Sequence, residues 1–140
     1  MSACRSRNAA SAAAPSLAVD NDPAALAALR QVLEGWGCSV ATASDGAAAD
    51  AALRERHADI WLFDYHLDAG DTGVALVERL RASHGHRPCL ILTADQTDAV
   101  RRAVRDAELP LLAKPVRPLA LKSVLDRLLA ARASAAVGAT

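Results

Sequence analysis

The chain has 140 residues and a mass of 14.6 kDa, enough for one domain with a real core and too little for a second substantial one. Its 16 basic and 16 acidic residues cancel, which argues against direct nucleic-acid binding, where Lys and Arg must neutralise phosphates. No run reaches the about eighteen apolar residues of a membrane span, and three scattered cysteines without a CxxC pair argue against a disulfide framework or thiolate metal site. The chain reads as soluble and cytoplasmic.

Residues 1–16, MSACRSRNAASAAAPS, carry two Arg, no acid and mostly Ala and Ser. They lack the apolar block of a signal peptide and read as a flexible linker or expression remnant. From Leu17 onward short apolar runs alternate with helical patterns, the signature of an α/β fold with a parallel sheet between two helical layers. Strands are expected at Leu17 to Asp20, Ser39 to Ala43, Asp59 to Asp64, Cys89 to Thr93 and Leu109 to Ala113. Most lack polar alternation, as strands buried on both faces do.

The first helix follows Asp22-Pro23, an N-cap and first-turn proline, and carries Leu26, Leu29, Leu33 and Trp36 along one face. Ser44 or Asp45 caps a second helix running to Arg56, and Thr72 caps a third that packs through Val74, Val77 and Leu80. A fourth is expected to begin at Asp95, with Val100 and Val104 one turn apart. After Pro118 the last shows Leu121, Val124, Leu125 and Leu128 at i, i+3, i+4 and i+7. The domain is expected to span residues 17–132, followed by a disordered tail at 133–140.

Four reactive side chains end strands: Asp20, Asp64, Thr93 and Lys114. In an open parallel sheet the carboxyl ends of the strands line one edge, where such folds bind ligands. Magnesium, with near-octahedral oxygen ligation and retained waters, needs only one or two carboxylates. Asp20 and Asp64 supply them, with Asn21 acting through water and the backbone carbonyl of His66 reaching the same ion. Asp64, ionised at neutral pH, is then a nucleophile toward phosphorus. Lys114 and Thr93 are the cation and hydroxyl that stabilise charge on the phosphoryl oxygens. The ring of His66 is expected to face solvent. His84-Gly85-His86 reads as an exposed loop rather than a metal site, and Cys38 and Cys89 as small buried apolar residues.

The motifs VDND (Val19 to Asp22), FDYHLD (Phe63 to Asp68), LTAD (Leu92 to Asp95) and AKPVRP (Ala113 to Pro118) resemble, in this order and spacing, the receiver domain of two-component response regulators. The resemblance covers Leu17 to about Leu129 and implies the flavodoxin-like strand order 2-1-3-4-5. It implies Mg2+ or Mn2+ as cofactor and a phosphohistidine on a histidine kinase or histidine phosphotransfer domain as phosphodonor to Asp64. It also implies that Asp20 and Asn21 form the metal-side pocket, that Thr93 follows the phosphoryl group, and that Lys114 is the site lysine. WGC at Trp36 to Cys38, DYHLDAGDTG at Asp64 to Gly73 and LLAKPVRP are similar to receivers at the C-terminal end of hybrid sensor histidine kinases; a free-standing regulator has the same appearance.

Two departures stand out. Asn21 replaces a second acid, and Leu111 stands where many receivers carry a switch aromatic. The face of the fourth helix, fifth strand and fifth helix is expected to change on phosphorylation and to support a homodimer. Two other readings remain open. A haloacid dehalogenase-type phosphatase would use Asp20 as nucleophile, but leaves Asp64 without a task. A receiver-shaped interaction module that is never phosphorylated would have no need of the complete set of four residues.

Overall fold

The computed structural model describes residues 14–139, with side chains up to residue 132. The apolar runs become β1 (Ser16–Val19), β2 (Val40–Ala43), β3 (Ile60–Asp64), β4 (Cys89–Thr93) and β5 (Leu111–Ala113). All pairings are parallel, in the order β2-β1-β3-β4-β5, as expected. The segments between and after them form α1 (Pro23–Gly35), α2 (Gly46–Glu55), α3 (Gly73–His84), α4 (Asp98–Asp106) and α5 (Pro118–Ala139).

A strand turns successive side chains to opposite faces, so each unbroken apolar run serves two cores. Leu17, Val19, Trp61, Phe63, Cys89 and Ile91 pack on one face with Leu53 of α2, Leu76 of α3 and Val100 of α4. Ile60, Leu62, Leu90 and Leu92 pack on the other with Leu33 of α1 and Leu121 and Leu125 of α5. Cys38 and Cys89 are buried and are not joined in a disulfide, and burial pushes both upward in pKa, so they serve as small apolar residues and not as nucleophiles.

Several boundaries move for local reasons. Of the two candidate caps for α2, Asp45 is the one used, accepting the Ala48 N–H at 2.8 Å. Thr72 caps α3 as expected, through the Ala75 N–H at 3.1 Å. The fourth helix does not begin at Asp95: α4 starts at Asp98 behind the N-cap Thr97. Asp95 instead accepts the Thr97 N–H on its carboxylate at 3.0 Å, a local side-chain bond that competes with helix formation. β5 starts later than Leu109 because Glu108 sits at φ 59° and Pro110 has no N–H for the ladder.

The ends differ from expectation as well. Ser16, assigned to a linker, is buried in β1, while residues 1–13 of that assignment, Cys4 included, lie outside the described residues. Where a disordered tail was expected from 133, α5 continues to Ala139, through alanines, the strongest helix formers. His84 is not in an exposed loop. It ends α3 with 18% of its side chain exposed and its Nε2 2.7 Å from Asp50 Oδ1, tying α3 to α2.

Gly73, the first residue of α3, controls how closely that helix approaches the end of β3. A Cβ placed there would lie 2.5 Å from the Asp64 carbonyl oxygen, and the Gly73 N–H already bonds the Tyr65 carbonyl at 2.7 Å. Gly73→Ala is therefore expected to destabilise the fold by about 1–3 kcal/mol, as overpacking does. Gly35→Ala, with nothing within 4 Å, is expected to be neutral or stabilising by up to about 1 kcal/mol. Urea midpoints at matched slopes provide the comparison.

Candidate acidic phosphoryl site

Register and pleat together assemble the site. Val19 pairs with Phe63, so the next step brings Asp20 level with Asp64. Both carry the parity of Ile60 and Leu62 and so lie on the α1 and α5 side of the sheet. Lys114, two residues past Leu112, has the same parity. Its Nζ lies 2.6 Å from Asp20 Oδ2 and 3.1 Å from Asp64 Oδ1, with the two carboxylate side chains only 7% and 12% exposed. Asp20 Oδ1 also accepts the Asp22 N–H at 2.9 Å. The Lys114–Pro115 peptide bond is cis.

Two carboxylates share one ammonium, which leaves the pocket with excess negative charge. Burial pushes the Asp64 carboxyl upward, and the neighbouring Asp20 adds to this against the opposing bond from Lys114. Burial also works against the Lys114 charge, yet its bonds to Asp20 and then Asp64 outweigh burial and raise its pKa. A divalent cation relieves such an excess, and Mg2+ accepts a site of one or two carboxylates completed by water and a carbonyl. Asp20 and Asp64 fit it. Among the described residues no group of three or more His, Cys, Asp or Glu side chains forms a ligand cage, so most of the shell would be water.

The remaining expected site residues are placed less directly. Asn21 is exposed and its Nδ2 donates to Asp68 Oδ1 at 2.8 Å. Asp68, which the sequence reading did not single out, opens a 3-10 turn, Asp68–Gly70, with Ala69 and Gly70 both at positive φ. An acid followed two residues later by glycine signals such a turn, but not which side chain it meets. The His66 backbone bridges Thr72. Its ring is 59% exposed, yet it does not simply face solvent: Nε2 lies 2.7 Å from Asp95 Oδ2. Hydrogen bonds from His66 first, then from Thr97, hold the Asp95 carboxyl down at about 2.

Thr93 is 2% exposed and has the parity of Cys89 and Ile91, opposite to that of Asp64. Its hydroxyl accepts the Asp95 N–H at 2.9 Å and donates to the Asp95 carbonyl at 3.4 Å. Asp20, Asp64 and Lys114 are thus in direct contact, while Thr93 sits on the adjoining strand with its hydroxyl held by its own loop. Leu111 is half-buried against the core shared with α2, α3 and α4.

Because folding raises the Asp64 pKa, the folded chain binds that proton more tightly than the unfolded chain. Ionisation therefore costs stability as pH rises through and above the ordinary carboxyl value of about 3.9. Asp64→Asn is expected to raise the thermal midpoint at pH 7 in the absence of divalent cations. That advantage should shrink as pH falls into the carboxyl range; differential scanning calorimetry between acid and neutral pH measures it.

Comparisons with known proteins lead to the same fold. The family model of the response regulator receiver domain matches residues 17–126. The transcriptional regulatory protein ZraR of Salmonella typhimurium is 33% identical over 115 residues, covering 81% of this chain and 26% of ZraR. The DNA-binding response regulator MtrA of Mycolicibacterium smegmatis is 40% identical over 84 residues, covering 60% of this chain and 36% of MtrA. The chain thus spans only about a quarter to a third of the length of these relatives. Among solved structures, a putative response regulator from Chloroflexus aurantiacus superposes with a TM-score of 0.75 at 30% identity, covering 84% of this chain and 98% of that one. The chemotaxis protein CheY4 of Vibrio cholerae gives 0.74 at 26% identity, covering 83% and 98%. The match over most of the chain, the 2-1-3-4-5 parallel sheet and the acidic pair joined by a lysine lead to one assignment: the chain belongs to the response regulator receiver domain family of two-component systems.

Proposed function

We propose that this receiver domain is phosphorylated on Asp64 in a His-to-Asp phosphorelay. The observation that carries the reading is the Lys114 ammonium held between Asp20 and Asp64 at the sheet edge. Receiver domains generally bind Mg2+ at their acidic pocket and interact with histidine kinases or phosphotransfer proteins. Here Asp20, Asp64 and the His66 carbonyl would hold the ion, with Asn21 acting through water, and the ion would supply positive charge to the phosphoryl oxygens. The Asp64 carboxylate attacks phosphorus; the bond from phosphorus to the donor imidazole nitrogen breaks as the bond to Asp64 oxygen forms. Lys114 is placed to neutralise the charge on the transferred group. The Thr93 hydroxyl follows it by giving up the Asp95 carbonyl as acceptor.

The phosphoryl group would then favour an active arrangement already in equilibrium with the resting one. The surface assigned to that change is the face of α4, β5 and α5, which we also propose as the homodimer face. It exposes Arg101, Arg102 and Arg105, together with Leu119 at 85%. Similarity of the WGC, DYHLDAGDTG and LLAKPVRP motifs to terminal receivers supports an origin in a hybrid sensor histidine kinase, over a free-standing regulator. No helix among the described residues is long and apolar enough to cross a membrane, and we place the domain in the cytoplasm.

With Mg2+ and acetyl phosphate, intact mass spectrometry should show one phosphoryl group added to the parent chain and none to Asp64→Asn. Lys114→Ala should stay folded, as judged by circular dichroism, and lose the response. A folded Asp64→Asn chain that still gains the group on another aspartate would sink the assignment. Omitting Mg2+ should slow the reaction by at least about tenfold, the scale of a lost transition-state charge contact.

A further inference from the structure

The bond between His66 and Asp95 joins the loop after the proposed phosphoacceptor strand to the loop after Thr93. Those loops leave neighbouring strands, since β3 pairs with β4. Asp95 is held at each of its polar ends. One carboxylate oxygen meets His66 Nε2 at 2.7 Å, and the other accepts the Thr97 N–H at 3.0 Å. Its backbone N–H and carbonyl both engage the Thr93 hydroxyl. Thr97 in turn caps α4 by accepting the Val100 N–H at 3.4 Å. A chain of bonds therefore runs from His66 through Asp95 to the Thr93 hydroxyl on one branch and to the start of α4 on the other.

A threonine hydroxyl has one proton to donate. While that proton points to the Asp95 carbonyl it is not available to a phosphoryl oxygen on Asp64. We propose that the His66–Asp95 pair is a latch that keeps the Thr93 hydroxyl in its own loop and ties release of that hydroxyl to movement of the α4 N-terminus. The proposal deepens the phosphoacceptor reading of Asp64 and rests on it for its effect on rate. His66 and Asp95 act here as positioning residues, through Thr93. The latch also supplies a route to α4 that does not need an aromatic side chain at Leu111, because Asp95 and Thr97 reach the helix cap directly.

The test uses the full chain with His66→Phe, Asp95→Ala, both together, and the conservative Asp95→Asn, whose Oδ1 can keep the Thr97 N–H while its Nδ2 donates to His66 Nε2 in the tautomer that leaves that ring nitrogen an acceptor. Two readouts are taken. Without any phosphodonor, the Thr93 methyl shift and side-chain couplings by NMR report its rotamer. With Mg2+ and acetyl phosphate, the rate of phosphorylation is measured. His66→Phe and Asp95→Ala should each move Thr93 from one rotamer toward averaging and raise the rate by roughly 3- to 10-fold, the shift expected when a modest bias between two states is removed. The double variant should gain no more than the larger single effect, because both break one latch. Asp95→Asn should stay close to the parent.

If the parent is phosphorylated on Asp64 but Thr93 keeps one rotamer and the rate stays within about twofold in both single variants, the latch is overturned and the phosphoacceptor reading survives. Rate gains that multiply in the double variant also overturn it. If the parent itself gains no phosphoryl group, the phosphoacceptor reading fails, and the proposed effect of the latch on rate fails with it.

Discussion

A lysine ammonium shared by two largely buried carboxylates is the constraint around which the rest of this fold is arranged. Carboxylates withdrawn from water on neighbouring strands repel each other, and removing the cation between them would leave two charges that the pocket cannot hold cheaply. Lys114 meets both only because β5 runs parallel to β4 with Leu112 beside Leu92, and because β1 runs beside β3 with Val19 level with Phe63. A slip of one residue in either pairing would send a carboxylate or the ammonium to the opposite face. The two apolar cores enforce that register, since the same slip would exchange their side chains, sending those shaped to pack on α1 and α5 against α2, α3 and α4 and the reverse. Stability of the core and chemistry of the pocket are therefore specified by the same alternation.

The pocket remains electrostatically incomplete. Asp64 is pushed upward in pKa by burial, even with Lys114 bonded to it, so the resting site is poised to gain positive charge rather than to rest as a structural ion pair. Around it the loops are tied by direct bonds: Asn21 to Asp68, Gly73 to the Tyr65 carbonyl, and His66 to Asp95. Each joins a residue near a strand end to a helix start or to a neighbouring loop. Changes in charge at Asp64 thus have short covalent and hydrogen-bonded paths to α1, α3 and α4, although β5 offers only Leu111 where an aromatic switch would stand.

Most of the architecture was legible beforehand because its causes are local. Apolar runs, most of them without polar alternation, specify strands buried on both faces, and Asp22-Pro23, Ser44-Asp45 and Thr72 specify helix starts by capping chemistry. The exceptions arise where a side chain chooses between two local partners. Asp95 has the residue type of a helix cap, but its carboxylate was claimed by His66 from a different loop and by Thr97, which delays α4 to Asp98. The ring of His66 and the ring of His84 both looked unpartnered along the chain, and both found aspartates more than twenty-five residues away in sequence, Asp95 and Asp50.

Residue type and spacing by themselves determined the family, the strand ends that carry reactive groups, and the identity of the acidic pair and its lysine. They could do so because each of those features is written in a short run of neighbouring residues. The tertiary structure decided which groups touch. It placed Asp20, Asp64 and Lys114 on one side of the sheet and gave Thr93 the opposite parity, so that three of the four reactive residues meet while the fourth is held by Asp95. That outcome depends on inter-strand register and on contacts between loops distant in sequence, and no one-dimensional pattern encodes either.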